Sequence, residues 1–253
     1  NMRIKFNKKI EFLIKNLLIP EKILLKRRLK RSIKKVDEKE LLILEKIVKK
    51  ELESVDVGVY RGVYTYSLAK LSKHVHSFEP NPLIFPYLKK NLTNLVKNIT
   101  LYEFALSNIE SEVNLKIPER YKTIIKNNYE EKYKLGYATI HNKNTLENVK
   151  YISHKVKTAR LDNILKNKKI GFVKIDVEGH EMNVLNGSIE IIKKNKPNFL
   201  IEIEERHSKV KVEETINSIN LLGYKSYYTD GVKLMSTNKL SNFSKNNNYI
   251  FIP

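Results

Sequence analysis

From residue 54 onward, short runs of β-branched and aromatic residues alternate with segments of helical period, and this alternation limits the folds open to the chain. The runs fall at 54–58, 74–78, 99–105, 172–176 and 199–204. The periodic segments fall at 64–71, 83–95, 181–194 and 210–222. Strand and helix in turn predict an α/β fold, a mainly parallel sheet with helices on both faces. Such sheets bind ligands outside the carboxyl ends of their strands, where the strand order reverses. Polar residues at those ends are therefore the first place to look for chemistry.

The first strand end reads Val55-Asp56-Val57-Gly58-Val59-Tyr60-Arg61-Gly62. Two glycines in a strand-to-helix turn let backbone approach a ligand closely, and Asp56 offers an acceptor at the tip. By itself this fits a tight βα turn as well as a nucleotide site. The second strand, Val75-His76-Ser77-Phe78-Glu79-Pro80-Asn81, adds a carboxylate 21 residues after Gly58. An acid there is placed to accept hydrogen bonds from a ribose diol. The turn has neither a third glycine nor a phosphate-gripping Lys, which favours an adenosine cofactor without phosphate, such as S-adenosyl-L-methionine, over a dinucleotide.

The third strand end is the most specific. In Phe172-Val173-Lys174-Ile175-Asp176-Val177-Glu178-Gly179-His180-Glu181 an apolar strand stops at three carboxylates and a histidine, and Met182, Leu185, Ile189 and Ile192 continue as a helix. Clustered ionisable groups repel and resist burial, so their presence at a strand end calls for a reason. Helix capping accounts for one acid or two; Glu181 reads as a surface or first-turn residue, and His180 fits either a site or a structural role.

These elements, with the Ala105-Leu106-Ser107 step, the Leu161-Asp162 pair after Thr158, Val184-Leu185-Asn186-Gly187 and the stretch 197–202, resemble in order the FkbM-type S-adenosylmethionine-dependent methyltransferases over residues 50 to 253. The resemblance implies a Rossmann-like class I methyltransferase fold and methylation of a hydroxyl, often on a sugar or polyketide-type molecule. By position, Asp56, Gly58, Tyr60 and Gly62 would line the methionine end of the cofactor and Glu79 would hold its ribose. Asn81, Ala105 and Leu106 would lie near ribose and adenine. Asp176 and Glu178 would face the sulfonium and the acceptor. The chain departs from the family at Val59-Tyr60, where Ala-Asn is common, and at His180, where a small or apolar residue is common.

Methyl transfer from a sulfonium is an in-line displacement in which the acceptor hydroxyl must lose a proton. Glu178, His180, Glu202 and His207 are the candidate bases. A divalent ion on Asp176, Glu178 and Glu202 is the less favoured alternative, since these oxygens equally suit hydrogen bonds to a polyol, and no metal site is assigned. His207 reads equally as an exposed charge beside Glu204, Glu205 and Arg206. The Tyr-rich insertion 118–151, with Tyr121, Tyr129, Tyr133, Tyr137 and Tyr151, is expected either to set acceptor specificity or to form a solvated hairpin.

The charge is uneven. The 253 residues carry a net +20, of which residues 1–35 hold +11, from 13 basic and two acidic side chains. Residues 1–50 therefore read as a basic amphipathic helical arm and 51–253 as the methyltransferase-like domain. In the arm Ile10, Leu13, Ile14, Leu17 and Leu18 form one stripe before Pro20; Leu25, Leu29 and Ile33 form a second. Asp37 with Glu40 resembles a capping box opening a third helix that runs to about Leu52. The stripes pack on the domain, lie on an anionic membrane surface, or dock to an acidic partner or nucleic acid. The chain has no Cys, which excludes disulfides, thiolate zinc sites and a cysteine nucleophile. With no apolar run long enough to span a membrane and no ordinary secretory signal, a cytoplasmic setting is expected, with membrane-peripheral attachment through the arm as the variant.

The sequence thus points to a methyltransferase acting on a carbohydrate or other hydroxyl-bearing acceptor. An RNA methyltransferase clamped by the arm and a non-catalytic Rossmann-like tethering module are the alternatives.

Overall fold

The computed structural model describes residues 19–35, 38–119, 135–144 and 149–253. An N-terminal helix α1 (Glu21–Lys35), a 3-10 turn (Lys39–Ile43) and a single helical turn α2 (Leu44–Ile47) precede the sheet. Then come β1 (Glu53–Val57), α3 (Val63–Leu68), β2 (Val75–Phe78), α4 (Phe85–Leu95) and β3 (Ile99–Tyr102). A smaller unit follows: β4 (Ala105–Leu106), β5 (Glu112–Pro118) and β6 (Tyr151–Ala159). The second half holds α5 (Leu161–Ile164), β7 (Ile170–Ile175), α6 (Glu181–Asn186), α7 (Ile189–Asn195) and β8 (Asn198–Glu202). The chain closes with α8 (Glu205–Ser208), α9 (Val212–Asn220), β9 (Lys225–Thr229), β10 (Leu234–Ser236) and β11 (Asn248–Ile252).

The main sheet runs in the order β10-β9-β11-β8-β7-β1-β2-β3. Its centre is parallel, β3 through β8, and β11 inserts antiparallel between β8 and β9. This is the expected Rossmann-like architecture. Strand β7 is buried at all six positions, as a central strand covered on both faces must be. Its alternation divides the core: Phe172 faces one cluster with Leu200 and Ile250, while Val173 and Ile175 face the other with Phe199 and Ile201. Leu25 and Leu29 of α1, with Ile43, Leu44 and Ile47 just before β1, are all but fully buried in the first cluster, which also holds Leu88 and Leu92. Ile33 packs at its margin. The second arm stripe is thus taken up by the domain, and at roughly 1.5–3 kcal/mol per buried leucine it anchors α1 there. The first stripe, Ile10 to Leu18, and Asp37 lie outside the described residues.

Three local expectations change. The helix expected to run to Leu52 ends at Ile47, because Val48 turns extended (φ −86°, ψ 128°) to lead into β1, and Glu40 is buried. The helix expected over 181–194 is two, broken at Gly187, where a Cβ would come within 2.0 Å of the Ser107 carbonyl oxygen. Helix α7 restarts on Asp162, whose carboxylate accepts the amides of Glu190 and Ile191 at 3.2 and 3.0 Å. The run 99–105 divides into β3 and β4. The chain leaves the main sheet at Glu103 and Phe104, and the Phe104 ring packs 5.6 Å from those of Phe78 and Tyr102.

Candidate active site

Strand order reverses between β1 and β7, so the loops at their carboxyl ends diverge and open a crevice. The two strand ends touch at its base. Gly58 has φ +86° and a Cβ on it would lie 1.8 Å from the Asp176 carbonyl oxygen, so only glycine fits. Above this contact lies a narrow cleft of about 80 Å3 that opens to solvent. Gly58, Tyr60, Glu79, Ala105, Leu106, Asp176, Glu178 and His180 all line it. The insertion after β5 contributes Gly136, Ala138 and Ile140 to the same wall.

Glu79, at the end of β2, is buried, and its two oxygens accept the amides of Tyr60 (2.8 Å) and Asn81 (2.9 Å). Burial pushes its carboxyl up to about 7 against those two bonds. Asp56, Gly62 and Asn81 stand behind this wall. Asp56 is fully buried, accepts the Thr65 hydroxyl at 2.6 Å, and is raised to about 6 by burial. Gly62 caps α3 against Leu92. Asn81 accepts the Leu83 amide at 3.0 Å and leaves its buried Nδ2 without a partner.

At the other end of the cleft the carboxylates are sorted by their neighbours. Asp176 is hydrogen-bonded by Lys174 (Nζ to Oδ2, 2.6 Å) and by Glu202. Burial opposes its charge, but the Lys174 ammonium and the Glu202 proton hold it below the usual carboxylate range. Glu202 is driven far up by burial and by the Asp176 charge, so it is the protonated partner. Glu178 sits in the left-handed region at φ +56°, a strained setting for a residue with a side chain. Its carbonyl is held by Thr139 Oγ1 (2.9 Å) and Asn144 Nδ2 (3.1 Å), both from the insertion. The following Gly179, φ +104°, lets the backbone of His207 come close; a Cβ there would meet its carbonyl at 2.8 Å. That approach brings His207 Nδ1 to 2.8 Å from Glu178 Oε2. Burial raises the Glu178 carboxyl, partly offset by His207. Burial also works against charge on His207, but Glu178 outweighs it and holds the imidazole above its usual value.

His207 is therefore a half-buried partner of Glu178, not an exposed charge. His180 precedes α6, with Nε2 2.9 Å from Ser107 Oγ and its ring edge-on to His141. Burial lowers it to about 4, so it is neutral near pH 7. Glu181 is a first-turn residue but a buried one, accepting the Gly179 amide at 2.8 Å. Tyr137 and Tyr151 are half exposed; Tyr121, Tyr129 and Tyr133 lie outside the described residues. The sequence pattern did not single out Lys174, Thr139 or Asn144. For Lys174 a signal existed, a lone ammonium in an otherwise apolar central strand. Among the described residues no group of three His, Asp or Glu side chains is arranged to hold a metal ion.

Residues 56–231 match the methyltransferase FkbM domain. The chain belongs to the FkbM methyltransferase family. Every cleft-lining residue named above falls inside the matched range, whereas α1, α2, β10 and β11 fall outside it. No functionally curated protein matches the chain. Among solved structures it is similar to an FkbM methyltransferase from Methylobacillus flagellatus, at 17% identity and TM-score 0.49, over 79% of this chain. The match spans 43% of that protein's length. A Streptococcus mutans protein solved with S-adenosylhomocysteine is similar at 12% identity and TM-score 0.46, over 84% of this chain and 94% of that one. An rRNA methylase from Streptococcus thermophilus is similar at 13% and 0.42, over 84% and 90%. No described helix is long and apolar enough to cross a membrane.

Proposed function

We propose that this FkbM-family chain transfers a methyl group from S-adenosylmethionine to a hydroxyl of a sugar, glycan or glycolipid. The observation that carries the reading is the polarity of the cleft. One end is a buried carboxylate held by two amides, Glu79; the other is a carboxylate and imidazole pair, Glu178 with His207.

The residues present fit the cofactor. Glu79 keeps lone pairs for a ribose diol, and Ala105 and Leu106 offer apolar surface for a planar base. The glycine contact at Gly58 keeps the crevice floor low, and Tyr60 narrows it where the family commonly has a smaller pair. When bound, S-adenosylmethionine supplies an electrophilic methyl on a positively charged sulfur. Asp176, kept ionised by Lys174, presents a fixed negative charge on that side of the cleft. Its proton affinity is low, so it orients rather than accepts a proton. Glu202 already holds a proton and is no base. His180, lowered to about 4, is a weak one. Glu178 combines a raised proton affinity with a place on the cleft wall, and it takes the acceptor's proton with His207 as relay.

Isothermal titration with S-adenosylhomocysteine and with NAD tests the cofactor. Binding of NAD alone overturns the reading. Methyl transfer from labelled S-adenosylmethionine to sugar nucleotides, glycolipids and RNA tests the acceptor, and label appearing only in RNA overturns the carbohydrate assignment.

A further inference from the structure

A second cavity, about 290 Å3 and open to solvent, adjoins the cleft on the α1 side. Tyr60 lines both, and its ring lies beside Gly136 of the cleft wall and under Arg61 of the second cavity. Three guanidiniums line the second cavity from two separate parts of the chain: Arg28 and Arg31 from α1, and Arg61 from the turn after β1. Arg28 and Arg31 stand three residues apart on the helix, and Arg61 lies over the Tyr60 ring at 5.0 Å from its centroid. Among the described residues none of the three is in an ion pair, and no acidic side chain lines the cavity. The one acid on α1, Glu21, is occupied by Lys90 and Asn91. The floor is apolar: Leu25, Leu29, Ile84 and Leu88 are all buried beneath it.

Unpaired arginines lining one cavity above an apolar floor suit one kind of ligand. Guanidinium forks match phosphate oxygens in geometry and charge, and desolvated aliphatic side chains favour a carbon skeleton beside the phosphate. We propose that this cavity binds an organic phosphate, with Arg28, Arg31 and Arg61 on the phosphate and Leu25, Leu29 and Ile84 under its carbon skeleton. As the anchor of the methyl acceptor it rests on the methyltransferase reading, because Tyr60 borders both cavities and a phosphorylated acceptor held here would reach the cleft past it. Binding energy from such a remote group aligns the reacting hydroxyl. The arm's basic character would then be explained by the substrate, and Tyr60 by the need for a wall shared between two sites.

The test is isothermal titration of the full chain with inorganic phosphate, geranyl phosphate and uridine monophosphate, before and after saturation with S-adenosylhomocysteine. At least one organic phosphate is expected to bind about ten-fold or more tightly than inorganic phosphate, and which one identifies an isoprenoid or a nucleotide source. Arg28→Gln/Arg31→Gln, two exposed positions, should weaken that binding about ten-fold or more while S-adenosylhomocysteine binds as in the wild type. Organic phosphates that bind no better than inorganic phosphate, or a double variant that binds like wild type, overturn the proposal. So does binding to anionic phospholipid vesicles with no affinity for either soluble organic phosphate. Loss of the phosphate result with S-adenosylhomocysteine binding intact refutes this inference alone. Phosphate binding without S-adenosylhomocysteine binding refutes the methyltransferase reading and upholds the anion site.

Discussion

Lys174 Nζ lies 2.6 Å from Oδ2 of Asp176, two residues on and just past the end of β7, and the lysine side chain is only 2% exposed. Burial opposes the ammonium, but Asp176, Asp56 and Glu38 together raise its proton affinity above that of an ordinary lysine. The pair is therefore a fixed charge arrangement, the ammonium buried behind the cleft wall and the carboxylate on it, with Glu202 supplying a proton to Asp176.

Removing one member of such a pair strands the other. Lys174→Met should lower the unfolding free energy by roughly 3–5 kcal/mol in urea titrations at pH 7. The double variant Lys174→Met/Asp176→Asn should recover part of that loss, because the stranded charge is then gone. A single variant within about 1 kcal/mol of wild type would show that the ammonium is not what keeps Asp176 ionised.

Glu178→Gln tests the proton acceptor. Loss of a general base typically costs on the order of 10²–10⁴ in kcat, and S-adenosylhomocysteine affinity should change only a few-fold, since the change spares Glu79. In the wild type kcat should rise as pH climbs through the raised value of Glu178. The variant should lose that rising limb. A Gln variant that keeps the same limb and rate assigns the proton to another group.

The alternation of runs and periodic segments was sufficient to read the sheet, because central strands buried on both faces are mostly apolar, as 170–175 is with Lys174 its one charged residue. The cleft acids were legible for the complementary reason: charge at the end of such a run is costly. What could not be read was set by contacts across long sequence separations. His207 meets Glu178 only because Gly179 lets the short helix α8 approach, and His207's own surroundings in sequence, Glu204, Glu205 and Arg206, look like a solvated surface. Asp56 and Asn81 read as cofactor contacts from their places in a pattern, yet their buried side chains turn to partners off the cleft wall, the Thr65 hydroxyl and the Leu83 amide. The break at Gly187 depended on a carbonyl of Ser107, 80 residues earlier in the chain.

Cofactor affinity should depend on pH through Glu79. Its carboxyl, raised to about 7 by burial, must be ionised to accept two hydroxyls of a ribose. S-adenosylhomocysteine should therefore bind more tightly at pH 8 than at pH 6. Glu79→Gln should bind about ten-fold or more weakly at pH 8 and show no such trend. Titration calorimetry at the two pH values decides it; equal affinity of wild type and variant at pH 8 removes the ribose role.

Glu181 carries the same kind of shift with a different consequence. It is 5% exposed, burial pushes it up to about 7 from an ordinary 4.5, and the Gly179 amide offsets only part of this. Between those values the folded chain holds a proton that the unfolded chain has released. Stability from this group is therefore complete below about pH 4.5 and falls as pH rises toward 7, the reverse of an ion-paired carboxylate. Glu181→Gln keeps an oxygen for the Gly179 amide and cannot ionise. It should match the wild type near pH 4.5 and exceed it at pH 8 by up to about 3 kcal/mol. Urea unfolding of both proteins at pH 5 and pH 8 measures the difference, and a gap that stays constant between them would mean that the buried carboxyl is not the group that titrates.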